Sequence, residues 1–150
     1  MLLFILMPDS INIQMKLLSV DEVRFMMSSD AINENSDPET IKIGFSNGVE
    51  PDVENNKFSV VFGVRYVVQD SVILESVYRF TFAVVNLSQF ITFNEDQSIT
   101  IAHLMPHFLS VAVGTMRGIL VVKTAGTAFA HYPLPIIDVN QLNENLSAAR

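Results

Sequence analysis

Between residues 58 and 84 apolar side chains share one parity: Phe58, Val60, Phe62, Val64, Tyr66 and Val68, then Val72, Leu74, Tyr78, Phe80, Phe82 and Val84. Period two marks a strand with one buried face, and Gln69-Asp70-Ser71 supplies a turn between the runs. The segment predicts a long antiparallel hairpin. Its other face mixes Ser59, Gly63, Arg65, Glu75, Arg79 and Thr81 with Val61, Val67, Ile73 and Val77, too apolar for open solvent and too polar for a core.

The same alternation opens the chain. Ile11, Ile13, Met15 and Leu17 alternate with Asn12, Gln14 and Lys16; after residues 19–22, Val23, Phe25 and Met27 face one way and Arg24 and Met26 the other. This predicts a strand interrupted by a bulge or turn. Residues 28–40 (SSDAINENSDPET) form a polar, acidic loop. Ile41, Ile43 and Phe45 restart a strand, and residues 47–56 read as a second acidic loop.

From Ser98 the apolar spacing becomes three and four. Ile101, Leu104, Met105, Phe108, Leu109, Ala112, Val113 and Met116 predict one long helix, with Asp96 and Ser98 at its positive end. Pro106 kinks it or begins its main part. Gly118 could stop it, and the Ile-Leu-Val-Val run after it could continue the helix or turn to strand. Residues 123–132 read as a small-residue loop, residues 133–135 as extended chain, and Asp138 as the cap of a short terminal helix through Leu142 and Leu146. Strands followed by helices predict an α+β domain: a four-stranded antiparallel sheet with a long helix and a short C-terminal helix on one face. Residues 1–150 suit a single domain.

Two stretches invite a membrane reading. Residues 1–7 (MLLFILM) are too short to span and are ended by Pro8 and Asp9, so residues 1–10 are expected to be a frayed, non-core N-terminus or an extra strand. Residues 98–116 carry no Asp, Glu, Lys or Arg, but His103, Pro106, His107, Ser110, Gly114 and Thr115 interrupt them. A helix buried on several sides fits better than a span, so no membrane insertion is expected.

Composition sharpens this picture. Half of the chain is apolar (49%), with eleven Phe and seven Met, and the formal net charge is -7. Nine Lys and Arg against sixteen Asp and Glu leave no basic cluster for phosphates, so nucleic acid is not an expected partner. The absence of cysteine removes disulfides, zinc-thiolate sites and a thiol nucleophile. So much apolar surface on a small domain implies burial between subunits or exposure for a partner.

Candidate chemistry is sparse. His103 and His107 stand four apart, as two imidazoles sharing a metal would, but no acid completes the set. Two helical histidines at an interface are expected, with no metal and no cofactor. There is no G-x-S-x-G turn, no phosphate loop and no paired carboxylates in an apolar setting, so an enzyme is not expected.

The order of elements resembles the SecB-like chaperones: a broken first strand (MKLLSVDEVRFMM), an alternating strand (IKIGF), a long hairpin (FSVVFGVRYVVQDSVILESVYRFTF), a helix with an early proline (HLMPHFLSVAVGTMRG) and a closing PLPIIDVNQL. A helix finishing in Arg117-Gly118, then a Pro-x-Pro-Ile segment with Asp138 or Asn140 and Leu142, is similar to the family's turn into its last helix. The resemblance covers residues 15–146. It implies a cytoplasmic, ATP-independent holdase that takes unfolded or preprotein clients, in many members for delivery to the Sec translocase motor. It also implies a homo-oligomer, a dimer of dimers, whose sheets join across strand edges and whose long helices pack between dimers. On that pattern Met26, Met27, Ile41, Ile43 and Phe45 would bind client, and Ile101, Leu104, Met105, Phe108, Leu109, Ala112, Val113 and Met116 would form the oligomer interface.

The sequence also departs from the family. Of the acidic positions that meet the motor, the first falls at Glu22, but the next falls at Met26 and the hairpin position near Arg79-Phe80. Residues 121–131 exceed what typical members carry. The alternative is a SecB-fold interaction protein dedicated to one partner, such as an antitoxin or envelope protein, without general chaperone or Sec-motor activity.

Overall fold

The computed structural model describes residues 2–6 and 12–148; Pro8, Asp9 and Ile11, named above, lie outside them. The chain runs β1 (Leu2–Leu6), β2 (Asn12–Met27), β3 (Lys42–Asp52), β4 (Lys57–Val68), β5 (Ser71–Val84), β6 (Ile91–Phe93), β7 (Ile99–Ile101), α1 (Met105–Lys123) and α2 (Val139–Ala148). The main sheet has the order β1-β2-β5-β4-β3 and is antiparallel throughout. The expected four strands, long helix and short terminal helix are all present in the expected order. Leu2–Leu6 adds a fifth strand, the second of the two outcomes expected for that segment.

The β4–β5 hairpin follows its sequence parity except near the turn, where a register shift after Tyr66 sets Val72 opposite Val67 and leaves Ile73 as a buried extra residue. Gln69 and Asp70 take left-handed backbone (φ 49 and 65), the conformation of a two-residue turn whose twist matches the strands. Phe58, Val60, Phe62, Val64 and Tyr66 of β4 and Leu74, Tyr78, Phe80, Phe82 and Val84 of β5 are buried on one face. Phe108 of α1 lies over the Phe58–Phe82 end of that face, its ring stacked 4.9 Å from Phe58 and 4.4 Å from Phe82. Offset aromatic stacks of this kind add to the area they bury. On the opposite face Glu75 joins Arg24 and Arg65 across three strands, and Arg79 meets Glu50. The mixed character read from the sequence is thus a charge ladder, with Val77 buried beside it.

Elsewhere tertiary pairing overrides local signals. β2 is one continuous strand; its register shifts between Leu17 and Ser19 and between Glu22 and Arg24, so Leu18 and Val23 are extra residues. Val23, unpaired at the second shift, is exposed, whereas Phe25 and Met27 pack against the core. Residues 47–52, expected as loop, extend β3 because Val49 pairs with Val60 and Pro51 with Phe58. The loop shrinks to a single turn closed by left-handed Asn56.

The helix begins later than its apolar spacing suggests. Ile99–Ile101 pairs with Ile91–Phe93 as a small hairpin, and α1 starts at Met105 with Pro106 in its first turn, where a missing N–H costs nothing. Gly118 does not stop the helix, which runs to Lys123. By length and composition Met105–Lys123 could cross a membrane; here its apolar stripe packs on the sheet, with Met105, Phe108, Leu109, Ala112, Val113, Met116 and Leu120 buried. Asp138 caps α2 as expected, accepting from the N–H groups of Asn140 (3.0 Å) and Gln141 (3.2 Å).

Candidate functional site

α1 covers the centre of the sheet and leaves the half of the same face carried by β3 less protected. Ile43, Phe45, Asn47, Val49 and Pro51 alternate on that face, opposite Tyr66, Val64, Phe62, Val60 and Phe58, and all five are half-buried. At one end of this strip lies a groove of about 250 Å³ lined by Pro38, Ile41, Ile43, Tyr132, Pro133 and Pro135, with His131 at its rim. At the other end a hollow of about 750 Å³ is bounded by Val49, Pro51, Ile99 and Ile101.

The groove's outer wall is built deliberately. Prolines at 133 and 135 hold the chain extended, Leu134 anchors it in the core, and Arg117 of α1 donates to the Pro135 carbonyl oxygen at 2.8 Å. Tyr66 donates to the Tyr132 carbonyl oxygen, and Tyr132 donates to the carbonyl oxygens of Asn33 and Ser36 in the 28–40 loop. Beside this wall Ile136 is 98% exposed.

The segment 121–131 acquires a role in this architecture. After α1 ends at Thr124, a turn and a short helical stretch carry Phe129 down onto Tyr66, with ring centroids 6.1 Å apart, and Phe129 is buried. Thr127 reaches the Met27 sulfur at 3.9 Å. Val121–Lys123 finish α1, and residues 124–131 close the end of the sheet face beyond it. Nothing in the sequence singled out Phe129, a lone aromatic among small residues.

The expected client positions do not form one patch. Ile41 and Ile43 share the groove, and Phe45 continues it along β3, stacked on Phe62 at 6.0 Å. Met27 lies on the same face of the sheet but across it, under Thr127. Met26 pairs with Glu75 and points to the opposite face. Tyr132, Pro133, Pro135 and Ile136 were missed as groove residues, although the Pro-x-Pro spacing marked the segment as extended.

Seven of the eight positions expected at an oligomer interface face the sheet of their own chain. Leu104, Met105, Phe108, Leu109, Ala112, Val113 and Met116 are buried within this chain, against the sheet, and Ile101 belongs to β7. The three-and-four spacing identified the helix's inner face. Its outer face carries Ser110, Gly114, Gly118, Val121 and Val122, all exposed.

The charged and titratable candidates are occupied or separated. Glu22 accepts from Tyr78 at 2.8 Å and pairs with Lys123 at 2.8 Å. The Lys123 and Tyr78 hydrogen bonds hold its carboxyl below the usual carboxylate value. Lys123 also lies 5.0 Å over the Phe25 ring. His103 precedes the helix in left-handed backbone (φ 66), so it is not one turn from His107 on a common helix as expected. His107, partly buried, is pushed below the usual imidazole value by desolvation. Among the described residues no three His, Asp or Glu side chains gather as a metal site.

No protein-family model matches this sequence, and no curated protein matches it. Among solved structures the chain is similar to the Mycobacterium tuberculosis Rv1957 SecB-like chaperone, solved in complex with a ChAD peptide from the Rv1956 HigA1 antitoxin. The TM-score is 0.46 at 14% identity, over 83% of this chain and 91% of that one.

Proposed function

We propose that this chain is a SecB-like holdase, a non-enzymatic protein that binds extended apolar stretches of unfolded polypeptide without ATP. The observation that carries it is the shallow apolar groove at one end of β3, lined by Ile41, Ile43, Tyr132, Pro133 and Pro135, with half-buried Phe45 next along the strand and Ile136 bare beside the wall. Holding many sequences calls for a long, shallow apolar track rather than a closed cavity with converging polar groups. The element order quoted from the sequence supports the same assignment.

On this proposal the protein works in the cytoplasm as a homo-oligomer. The exposed outer face of α1, where Ser110, Gly114 and Gly118 let a second helix approach closely, suits a contact between dimers better than the buried inner face. Delivery to a Sec motor is left out of the proposal, because Glu22 is already engaged by Lys123 and Tyr78.

The test is aggregation of a chemically denatured protein diluted into buffer. A holdase suppresses light scattering near stoichiometric ratio, equally with and without ATP. No suppression at several-fold excess overturns the proposal. One tight complex from a pull-down, with no suppression, would mark a protein dedicated to a single partner instead.

A further inference from the structure

The face of the main sheet turned away from α1 collects the chain's positive charge. Lys16 and Arg24 of β2, Arg79 of β5, Lys57 and Arg65 of β4 and Lys42 of β3 stand on it by register, opposite in parity to the core-facing side chains of their strands. They are six of the nine Lys and Arg in the sequence, whereas only Asp21, Glu50, Asp52 and Glu75 of the sixteen Asp and Glu join them. A chain of net charge -7 thus carries one net-positive face. The local field of that face, rather than the overall charge, is what an approaching partner meets.

These cations are not neutralised where they stand. Arg24 and Arg65 reach one carboxylate, Glu75, from the strands on either side of it, each through its Nε. Both side chains stay more than half exposed (57% and 54%) while Glu75 is 13% exposed, so the shared anion is sunk and the two guanidiniums project. Among the described residues their terminal Nη groups have no acceptor, and no carboxylate lies within ion-pair reach of Lys16, Lys42 or Lys57. Between the arginines the floor is low. Val77 is buried, and Gly63 stays bare because a Cβ there would meet the Ser46 Oγ at 2.6 Å and the Val77 Cγ2 at 3.3 Å. Such a floor encloses no small molecule, but an extended chain can lie across it between the projecting charges.

We infer that this face docks an acidic segment of a partner polypeptide. Its carboxylates would be taken by the free Nη groups of Arg24 and Arg65, whose planar forks suit bidentate pairing. Lys42, near the β4–β5 turn, and Lys57, at the other end of β4, would meet further acids along the segment. A polypeptide fits better than a phosphate polymer or an anionic bilayer because Asp21, Glu50 and Asp52 interleave with the cations. A uniformly anionic surface is repelled at those places, whereas a peptide can set its acids over the arginines and neutral or basic residues over the acids. This face lies on the far side of the sheet from the apolar groove. Its sign is opposite to that of the acidic contact which the resemblance implies for a Sec motor.

Fluorescence anisotropy with a labelled peptide of alternating Glu and Ser, compared with the same peptide carrying Gln for Glu, tests this docking. At low salt the Glu peptide should bind about tenfold tighter or more, and the difference should fade as ionic strength rises. Arg65→Gln leaves Glu75 its Arg24 partner and should weaken binding about three- to fivefold, and Lys42→Gln with Lys57→Gln should do the same. Should Arg65→Gln fail to fold, the exposed lysine pair still decides. Lys123→Gln removes a positive charge from the other side of the sheet and should leave binding unchanged. Equal affinity for the two peptides overturns the inference. So does binding that Arg65→Gln and the lysine pair leave untouched, or that Lys123→Gln lowers as much. Capture of phosphatidylserine–phosphatidylcholine vesicles or single-stranded oligo-dT in preference to the peptide also overturns it, assigning the face to lipid or nucleic acid. Aggregation suppression measured on the same variants should persist, so that loss of peptide docking and loss of holdase activity are read separately.

Discussion

The Tyr66 hydroxyl on β4 donates to the backbone carbonyl oxygen of Tyr132 at 2.7 Å, binding the middle of the sheet to the proline-held wall of the groove. Burial pushes that hydroxyl up to about 12, so it stays a neutral donor across the working range of pH. Tyr132 extends the tie outward, donating to the carbonyl oxygens of Ser36 at 2.7 Å and Asn33 at 3.0 Å. Groove, sheet and 28–40 loop are one hydrogen-bonded unit.

Tyr66→Phe keeps the ring against Phe129 and removes the donor. Leaving the Tyr132 carbonyl unpaired should cost about 1–3 kcal/mol of stability, read as a lower urea midpoint. Amide exchange should quicken at residues 131–136 while the β4–β5 ladder keeps its protection. Unchanged exchange at 131–136 would mean that the wall does not depend on this bond.

How far the sequence foretold these features depended on whether local pattern and tertiary contact agreed. The parity of β4 and β5 was readable because one face is buried from Phe58 to Tyr66 and from Leu74 to Val84, so all its residues there except Ser76 are apolar. The groove was half readable: Ile41 and Ile43 announced a strand, but its outer wall depends on Tyr132 reaching Ser36, far away in sequence. Residues 47–52 were misread because Gly48, Glu50 and Pro51 signal a loop, whereas an edge strand tolerates all three on its open side. The helix start was misread because Ile99 and Ile101 fit a helical stripe as well as a short strand, and their pairing with Phe93 and Ile91 is invisible to periodicity.

Client capture should depend on the groove and not on apolar exposure in general. Ile41→Asp and Ile136→Asp are expected to weaken aggregation suppression several-fold at fixed concentration, since each sets a charge in or beside the apolar track. Val85→Asp, just after β5 and 47% exposed, should leave suppression per subunit unchanged. Equal losses from all three variants would mean that capture is diffuse and the groove has no special part in it.

Phe108 separates a core helix face from an interface. Stacked on Phe58 and Phe82 and fully buried in its own chain, it should cost about 3–5 kcal/mol when changed to Ala. The loss should be the same at low and high protein concentration, because no subunit contact is involved. A stability loss that disappears on raising the concentration would return this face to an interface.

Acid should act through Glu75. The Arg24 hydrogen bond, assisted by Arg65, holds its carboxyl below the ordinary value of 4.5 against the opposing push of burial. A folded value below the unfolded one stabilises the fold fully above about pH 4.5, and that stabilisation fades as pH falls through the folded value. Glu75→Gln should therefore be less stable than the wild type at pH 7, with the gap in urea midpoint narrowing at pH 3. Glu22 titrates in the same direction in both proteins, so the difference between them isolates Glu75. A gap that stays constant with pH would show that the ladder contributes shape rather than charge.

The bulge at Val23 yields the sharpest contrast. Glu22 pairs with Tyr78 and Arg24 with Val77, so Val23 is a residue too many. Deleting it makes Glu22 and Arg24 neighbours and restores a regular ladder in which every other pair keeps its partner and its face. Deleting Phe25 instead moves Met26 opposite Ser76, onto the helix side, and Met27 opposite Glu75, onto the charged side. It also removes the ring under Lys123. The Val23 deletion should stay within about 1 kcal/mol of the wild type, as a change at an exposed position free of such contacts would. The Phe25 deletion should lose several times more, and urea unfolding of the two variants side by side measures the difference. If both deletions cost the same, face parity does not govern this edge, and the bulge serves some purpose other than turning Phe25 and Met27 toward the core.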